Sequence, residues 1–205
     1  MKNGTKIFGI GLNKTGTKTL GKCFSVLGLS GLSYDMESFE WWCRGEIDRI
    51  YEKVADYDAF EDWPWPILFR DLDKRFPGSK FILTRRKNSN IWYASLCRHM
   101  RLVAPSKFER VIYGTDQPKK HRKSLLGFYE KHLRETREYF LSRPTDFLEV
   151  CWEDGDNWNQ LCQFLDLPLP QVTFPHENRH LSKKSYFYMY LGKLRKEISY
   201  KVKGY

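Results

Sequence analysis

Two lysines, three threonines and two glycines crowd into positions 11 to 19 of the stretch IFGIGLNKTGTKTL at 7 to 20, as Gly11, Lys14, Thr15, Gly16, Thr17, Lys18 and Thr19. An apolar run leads into this cluster and an amphipathic one leaves it, so the local reading is strand, loop and helix. Glycine lets the backbone turn tightly and come close to a bound group. The first amides of the helix and the positive end of its dipole then point at that group, the arrangement that holds phosphate or sulfate. The lysine spacing narrows the chemistry. A nucleotide-hydrolysing loop carries lysine directly after its second glycine. Here Thr17 follows Gly16 and the lysines stand at 14 and 18, which argues against hydrolysis of a nucleoside triphosphate.

Further along, KFILTRR at 80 to 86 is a β-rich run ending in Arg85 and Arg86, and Ser95 lies on the helical stretch after it. A guanidinium grips phosphate oxygens as a planar fork, and a serine hydroxyl adds one more hydrogen bond. Between the two segments, YDAFEDWP at 57 to 64 brings Glu61 and Asp62 to the end of a strand, with Pro64 or Pro66 marking the next helix start.

Residues 13 to 20, NKTGTKTL, resemble the K-[ST]-G-T-[TS]-[TSW]-L loop of the sulfotransferase superfamily, and the resemblance extends over roughly residues 6 to 180. It implies an α/β, three-layer P-loop-like fold with a central parallel sheet flanked by helices. It also implies an enzyme that moves a sulfuryl group from 3′-phosphoadenosine 5′-phosphosulfate (PAPS) to a small acceptor, leaving PAP and using no metal. The acceptor group is a hydroxyl or, in second place, an amine. Carried onto this chain, Lys14, Thr15, Gly16, Thr17, Lys18 and Thr19 hold the 5′-phosphate, and Lys14 also meets charge on the leaving bridge. Arg86 and Ser95 take the 3′-phosphate. They stand nine residues apart where the family usually has eight, and Arg85 or a different hydroxyl is open to the same role. Asp62 is the expected base, with Glu61 second and His99 as the other nearby candidate. FLEVCWED at 147 to 154 resembles the family's Y-E-D segment, which sets Trp152 near the adenine. FPHEN at 174 to 178 resembles the P-F-P-H-x-N segment of the compact branch of the family.

The elements that must position these residues alternate between strand and helix, the pattern of a parallel sheet whose ligands bind beyond the carboxyl ends of its strands. The helix after the loop places Leu20, Cys23, Phe24 and Leu27 on one face and ends near Gly28. A single helix is expected over residues 37 to 56. Another follows Pro66 through Leu68, Phe69, Leu72 and Phe76, stopped by Pro77 and Gly78. Helices are expected again at 88 to 103 and at about 122 to 142.

At 205 residues the chain reads as one domain, large enough to bury a core. With 41% hydrophobic and 16% aromatic residues it is not an intrinsically disordered chain. The net charge of +10 favours an anionic ligand, acidic acceptor or anionic surface without choosing among them. Its basic residues gather at 98 to 123, read as an irregular flap, and at 183 to 205, a basic amphipathic segment that packs on the domain by default. Five cysteines with no C-x-x-C pair indicate neither a disulfide framework nor a zinc site. Buried, reduced thiols, no signal peptide and no apolar run near the roughly 20 residues of a membrane span point to a cytoplasmic protein. A small-molecule kinase and a non-catalytic nucleic-acid-binding module are the other two classes. The first lacks a correctly spaced lysine. The second leaves the ordered Lys14, Asp62, Arg86 and Ser95 without a purpose, so no nucleic acid partner is expected.

Overall fold

The computed structural model describes residues 4–102 and 107–175. These divide into two compact units, one built from 4–87 with 133–175 and the other from 88–132. The basic segment at 183 to 205 lies outside the described residues.

The first unit is built on five parallel strands in the order β2-β3-β1-β4-β5, with β1 Ile7–Gly9, β2 Gly31–Leu32, β3 Ala59–Phe60, β4 Lys80–Thr84 and β5 Phe147–Val150. Register is fixed by pairs such as Phe8 with Phe60, Phe8 with Phe81, and Thr84 with Val150. Alternate strand residues face opposite sides of a sheet, and here the two sides feed separate cores. Phe8, Phe60, Phe81 and Leu83 meet Trp41 of α2 (Met36–Arg44), Ile50 and Val54 of α3 (Ile47–Ala55), Trp65, Leu68 and Leu72 of α4 (Trp65–Arg75), and Phe140 of α7 (Arg122–Phe140). Ile7, Ala59, Ile82 and Val150 meet Leu20, Cys23 and Phe24 of α1 (Thr17–Val26) and Trp158, Leu161 and Leu165 of α8 (Trp158–Leu165). Helices on both faces of a parallel sheet make this an α/β fold of the expected kind.

The expected helix over 37 to 56 is two helices. Gly45 has φ 76°, in the left-handed region, and its amide returns to Trp41 and Trp42. That geometry closes α2, and α3 begins at Ile47. The helices remain tied because Lys53 of α3 lies 2.7 Å from Asp35, the residue whose side chain caps α2. Within the second unit, α5 (Ser89–Leu102) and α6 (Lys107–Tyr113) are followed by a tight 3₁₀ turn at Pro118–His121. The region read as an irregular flap therefore carries regular helix over much of its described length. Its packing is aromatic, with Trp92 stacked on Tyr129 at 4.6 Å and Tyr113 meeting Trp92 at 6.2 Å. Among the described residues no helix is long and apolar enough to cross a membrane.

An aromatic ladder runs across the middle of the sheet. Phe8, fully buried, lies 5.0 Å from Phe60 and 5.4 Å from Phe81, and Phe81 continues to Phe140 at 4.8 Å. Truncating a buried Phe leaves a cavity as well as losing transfer energy, so Phe8→Ala is expected to cost about 3–5 kcal/mol in denaturant unfolding. A loss below about 1 kcal/mol would show that the strand does not depend on this ring.

Candidate functional site

In this strand order the chain crosses from one side of β1 to the other, and the crevice beyond the carboxyl ends of the strands is where open α/β sheets bind ligands. The loop after β1 forms one wall. Its shape is set by Thr84 at the end of β4. The Thr15 hydroxyl donates to Leu12 O at 2.6 Å and lies 2.6 Å from the Thr84 hydroxyl, which is thereby left as the donor of the second bond. Gly11 crosses so near that a Cβ there would stand 2.0 Å from Thr84 Oγ1, too close for any side chain. Thr15 is buried and its amide also turns back to Leu12 O, at 3.3 Å, so its polar groups bind the loop together. Gly16 enters α1 with φ 103°, and the first amide bonded back within the helix is that of Leu20, to Gly16 O. The amides ahead of it have no carbonyl one turn back. Thr17, Lys18 and Thr19 supply this first turn.

Glu61 and Asp62 follow β3 directly. Strict strand alternation would send them to opposite sides, but Asp62 has φ 66°, which breaks the alternation. Both carboxyls therefore stay near α1. Asp62 Oδ2 accepts from the Thr17 hydroxyl at 3.3 Å and Oδ1 from the Trp63 amide at 3.0 Å. Glu61 Oε1 accepts from the Ser33 hydroxyl. Lys14 is left-handed too, with φ 69°. A non-glycine residue there costs on the order of 1–3 kcal/mol and persists only where its surroundings over-determine it. The two residues expected to do chemistry both carry this strain.

Burial raises both carboxyls. Burial raises the pKa of Asp62 above the usual carboxylate range, while the Trp63 amide, the Thr17 hydroxyl and the charges of Lys14 and Lys18 pull it back down. Burial first, then the charge of Asp62, pushes Glu61 up to about 7, with Ser33, Thr17 and Lys18 opposing.

Arg85 and Arg86 leave β4 into a lattice of acids from the segment around β5. Arg85 meets Glu149 at 2.6 Å and Asp154 at 3.3 Å, with Arg137 sharing Glu149 at 2.7 Å. Arg86 meets Glu153 at 3.1 Å. Trp152 lies against the loop: its Nε1 donates to Gly16 O at 3.2 Å, and its ring lies 5.1 Å from that of Phe174. A Cβ on Gly16 would stand 2.4 Å from the indole, so this position needs glycine for space as well as for φ. The first unit thus brings together Lys14, Thr15, Gly16, Thr17, Lys18, Thr19, Glu61, Asp62, Arg86 and Trp152 on the carboxyl ends of β1, β3, β4 and β5. Ser95 and His99 lie on α5 of the second unit.

Two participants escape the sequence reading. Thr84 is the polar end of an otherwise apolar strand, and that position was a usable signal. Ser33 follows a two-residue strand too short to recognise from residue pattern.

A family model for the sulfotransferase domain matches residues 6–113 and 104–182. Ava biosynthesis cluster protein M of Aspergillus versicolor is 24% identical over 212 aligned positions, which cover 83% of this chain and 80% of that protein.

The raised pKa of Glu61 has a consequence for stability. The native carboxyl keeps its proton up to about pH 7, whereas in the unfolded chain it loses it near the ordinary 4.5. Between those values the unfolded chain binds fewer protons, so this group makes stability fall as pH rises through the window. Glu61→Gln removes the titration. Its gain over the wild type is expected to grow from about zero near pH 4.5 to on the order of 3 kcal/mol near pH 8 in unfolding titrations. A gain that does not depend on pH would contradict this origin.

Proposed function

The chain belongs to the sulfotransferase domain family, and on that premise we propose that it moves a sulfuryl group from PAPS to a hydroxyl, with an amine as second choice, on a small acceptor. The observation that carries the reading is the pair of left-handed residues, Lys14 and Asp62, with Asp62 accepting from Thr17 at the start of α1 and feeling the charge of Lys14. The acceptor oxygen attacks the sulfur in line with its bond to the 5′-phosphate. A new O–S bond forms as the bridging S–O bond breaks. The bonding pair leaves on the phosphate oxygen of PAP, and the acceptor's proton passes to Asp62. A carboxyl held above its usual range is the stronger base for that task. Lys14 and the first-turn amides meet the charge growing on the bridging oxygen. Arg86 is assigned to the 3′-phosphate, sharing its cation with Glu153. Trp152, resting on Gly16, offers the purine an aromatic surface.

Incubation with sulfur-labelled PAPS and a metabolite extract is expected to move label onto a discrete acceptor. In the same assay Lys14→Ala is expected to lose roughly 10²- to 10³-fold in rate. Asp62→Asn should lose roughly 10²- to 10⁴-fold while still binding PAP. Absence of labelled product, or both variants turning over at the wild-type rate, overturns the assignment. Label transferred from γ-labelled ATP instead makes the chain a kinase.

A further inference from the structure

Glu61 is a buried acid that the proposed reaction leaves unused, and the chain makes room for it from three sides. A Cβ on Gly9 of β1 would stand 3.1 Å from the Glu61 Cβ, and one on Gly21 of α1 would stand 2.7 Å from its Oε1. Ser33, next to β2, donates to that same oxygen. The side chain is thus held in a fitted place, with the residue only 4% exposed. Its other oxygen, Oε2, is buried and makes no hydrogen bond among the described residues. The polar and charged groups that bear on it are Thr17 and Lys18 of α1, Ser33 and the neighbouring Asp62.

The two acids are unequally served. Asp62 accepts from the Thr17 hydroxyl and the Trp63 amide and feels both Lys14 and Lys18. Glu61 has Ser33 on one oxygen and Lys18 as its cation. Thr17 faces both acids, but its hydroxyl has one proton, which goes to Asp62 Oδ2 at 3.3 Å. A charged Glu61 would leave Oε2 buried without a donor or draw the Thr17 proton away from Asp62, and either is costly. A proton on Oε2 removes the conflict. The neutral acid becomes a donor, and the lone pairs of Thr17 Oγ1, to which nothing donates among the described residues, are open to receive it.

Building on the reaction proposed above, we propose that Glu61 is a positioning residue for Asp62: it keeps a proton on Oε2 and turns to give it as a hydrogen bond to Thr17 Oγ1, so that Thr17 holds its own proton on Asp62. Asp62 takes the acceptor's proton, and Glu61 keeps its own. Burial and the charge of Asp62 let that proton stay until about pH 7. Above this the second carboxylate competes for the Thr17 hydroxyl, and the reaction acquires an alkaline limit.

The test is a carbon-13 NMR titration of the full chain labelled at its Asp and Glu carboxyls, with no ligand added. Signals are assigned by their loss in Glu61→Gln and Asp62→Asn. Glu61 is expected to keep its proton until about pH 7, and the Asp62 carbon to take a second step at that pH. Thr17→Ser, which keeps a hydroxyl, should keep the second step, and Thr17→Val should shrink it. In the label-transfer assay the wild-type rate is expected to fall about tenfold between about pH 6.5 and about pH 8.5. Glu61→Gln, whose amide donates without titrating, should lose that fall. A Glu61 that titrates near the ordinary 4.5, a second step untouched by Thr17→Val, or a Glu61→Gln chain with the wild-type fall would each overturn the positioning role. If the titration runs as expected but no label leaves PAPS, the reaction fails while the arrangement of protons stands. If label moves and Glu61 titrates near 4.5, the positioning role fails while the reaction stands.

Discussion

At the end of β4 the side chain of Thr84, almost wholly buried, meets two parts of the preceding loop at once: the hydroxyl of Thr15 and the bare backbone of Gly11. Neither contact survives alone. Without glycine at 11 the loop would be pushed off the strand, and without a hydroxyl at 84 the buried oxygen of Thr15 would lose a donor. Everything downstream uses the loop in this position. Gly16 can turn into α1 beneath Trp152 only from there, and Thr17 reaches Asp62 only because α1 begins where it does. The candidate site is therefore a property of how β1 and β4 are joined, and the parallel ladder from Ile7–Lys80 to Gly9–Ile82 holds that junction.

The strain in the site is modest beside what holds it. Lys14 and Asp62 together cost a few kcal/mol in left-handed backbone. The fully buried Phe8, Phe60 and Phe81 lie directly beneath on the same strands, and each is worth a similar amount on its own. The return for that strain is geometric. A right-handed or extended Asp62 would follow strand alternation away from Thr17, and the pair of carboxyls would part. With both on the α1 side, burial raises the proton affinity of each, and the charge of Asp62 raises that of Glu61 further.

The loop between β1 and α1 was legible because its information is local: glycines, lysines and threonines within fourteen residues, followed by a helical stripe. The layering of the sheet was legible for the same reason, since an apolar strand and an amphipathic helix each announce themselves within a window of their own length. What lay beyond reach depended on partners far apart in sequence. Ser33 touches Glu61 across 28 positions, and Thr84 touches Thr15 across 69. The break at Gly45 was visible as a residue but not as a stop, because glycine in a helical pattern is tolerated unless its φ turns positive. The side on which Asp62 stands follows from one backbone angle, to which residue types give no guide.

The most direct measurement is a calorimetric titration of PAP into the wild type and into Thr84→Val, which keeps the shape of the residue and removes its hydroxyl. If the pinned loop is the cradle for the nucleotide, PAP binds the wild type at one site per chain. The variant then binds it about tenfold more weakly, the scale of one buried hydrogen bond. Equal affinity in the two proteins, or no binding of PAP by the wild type, would contradict the account.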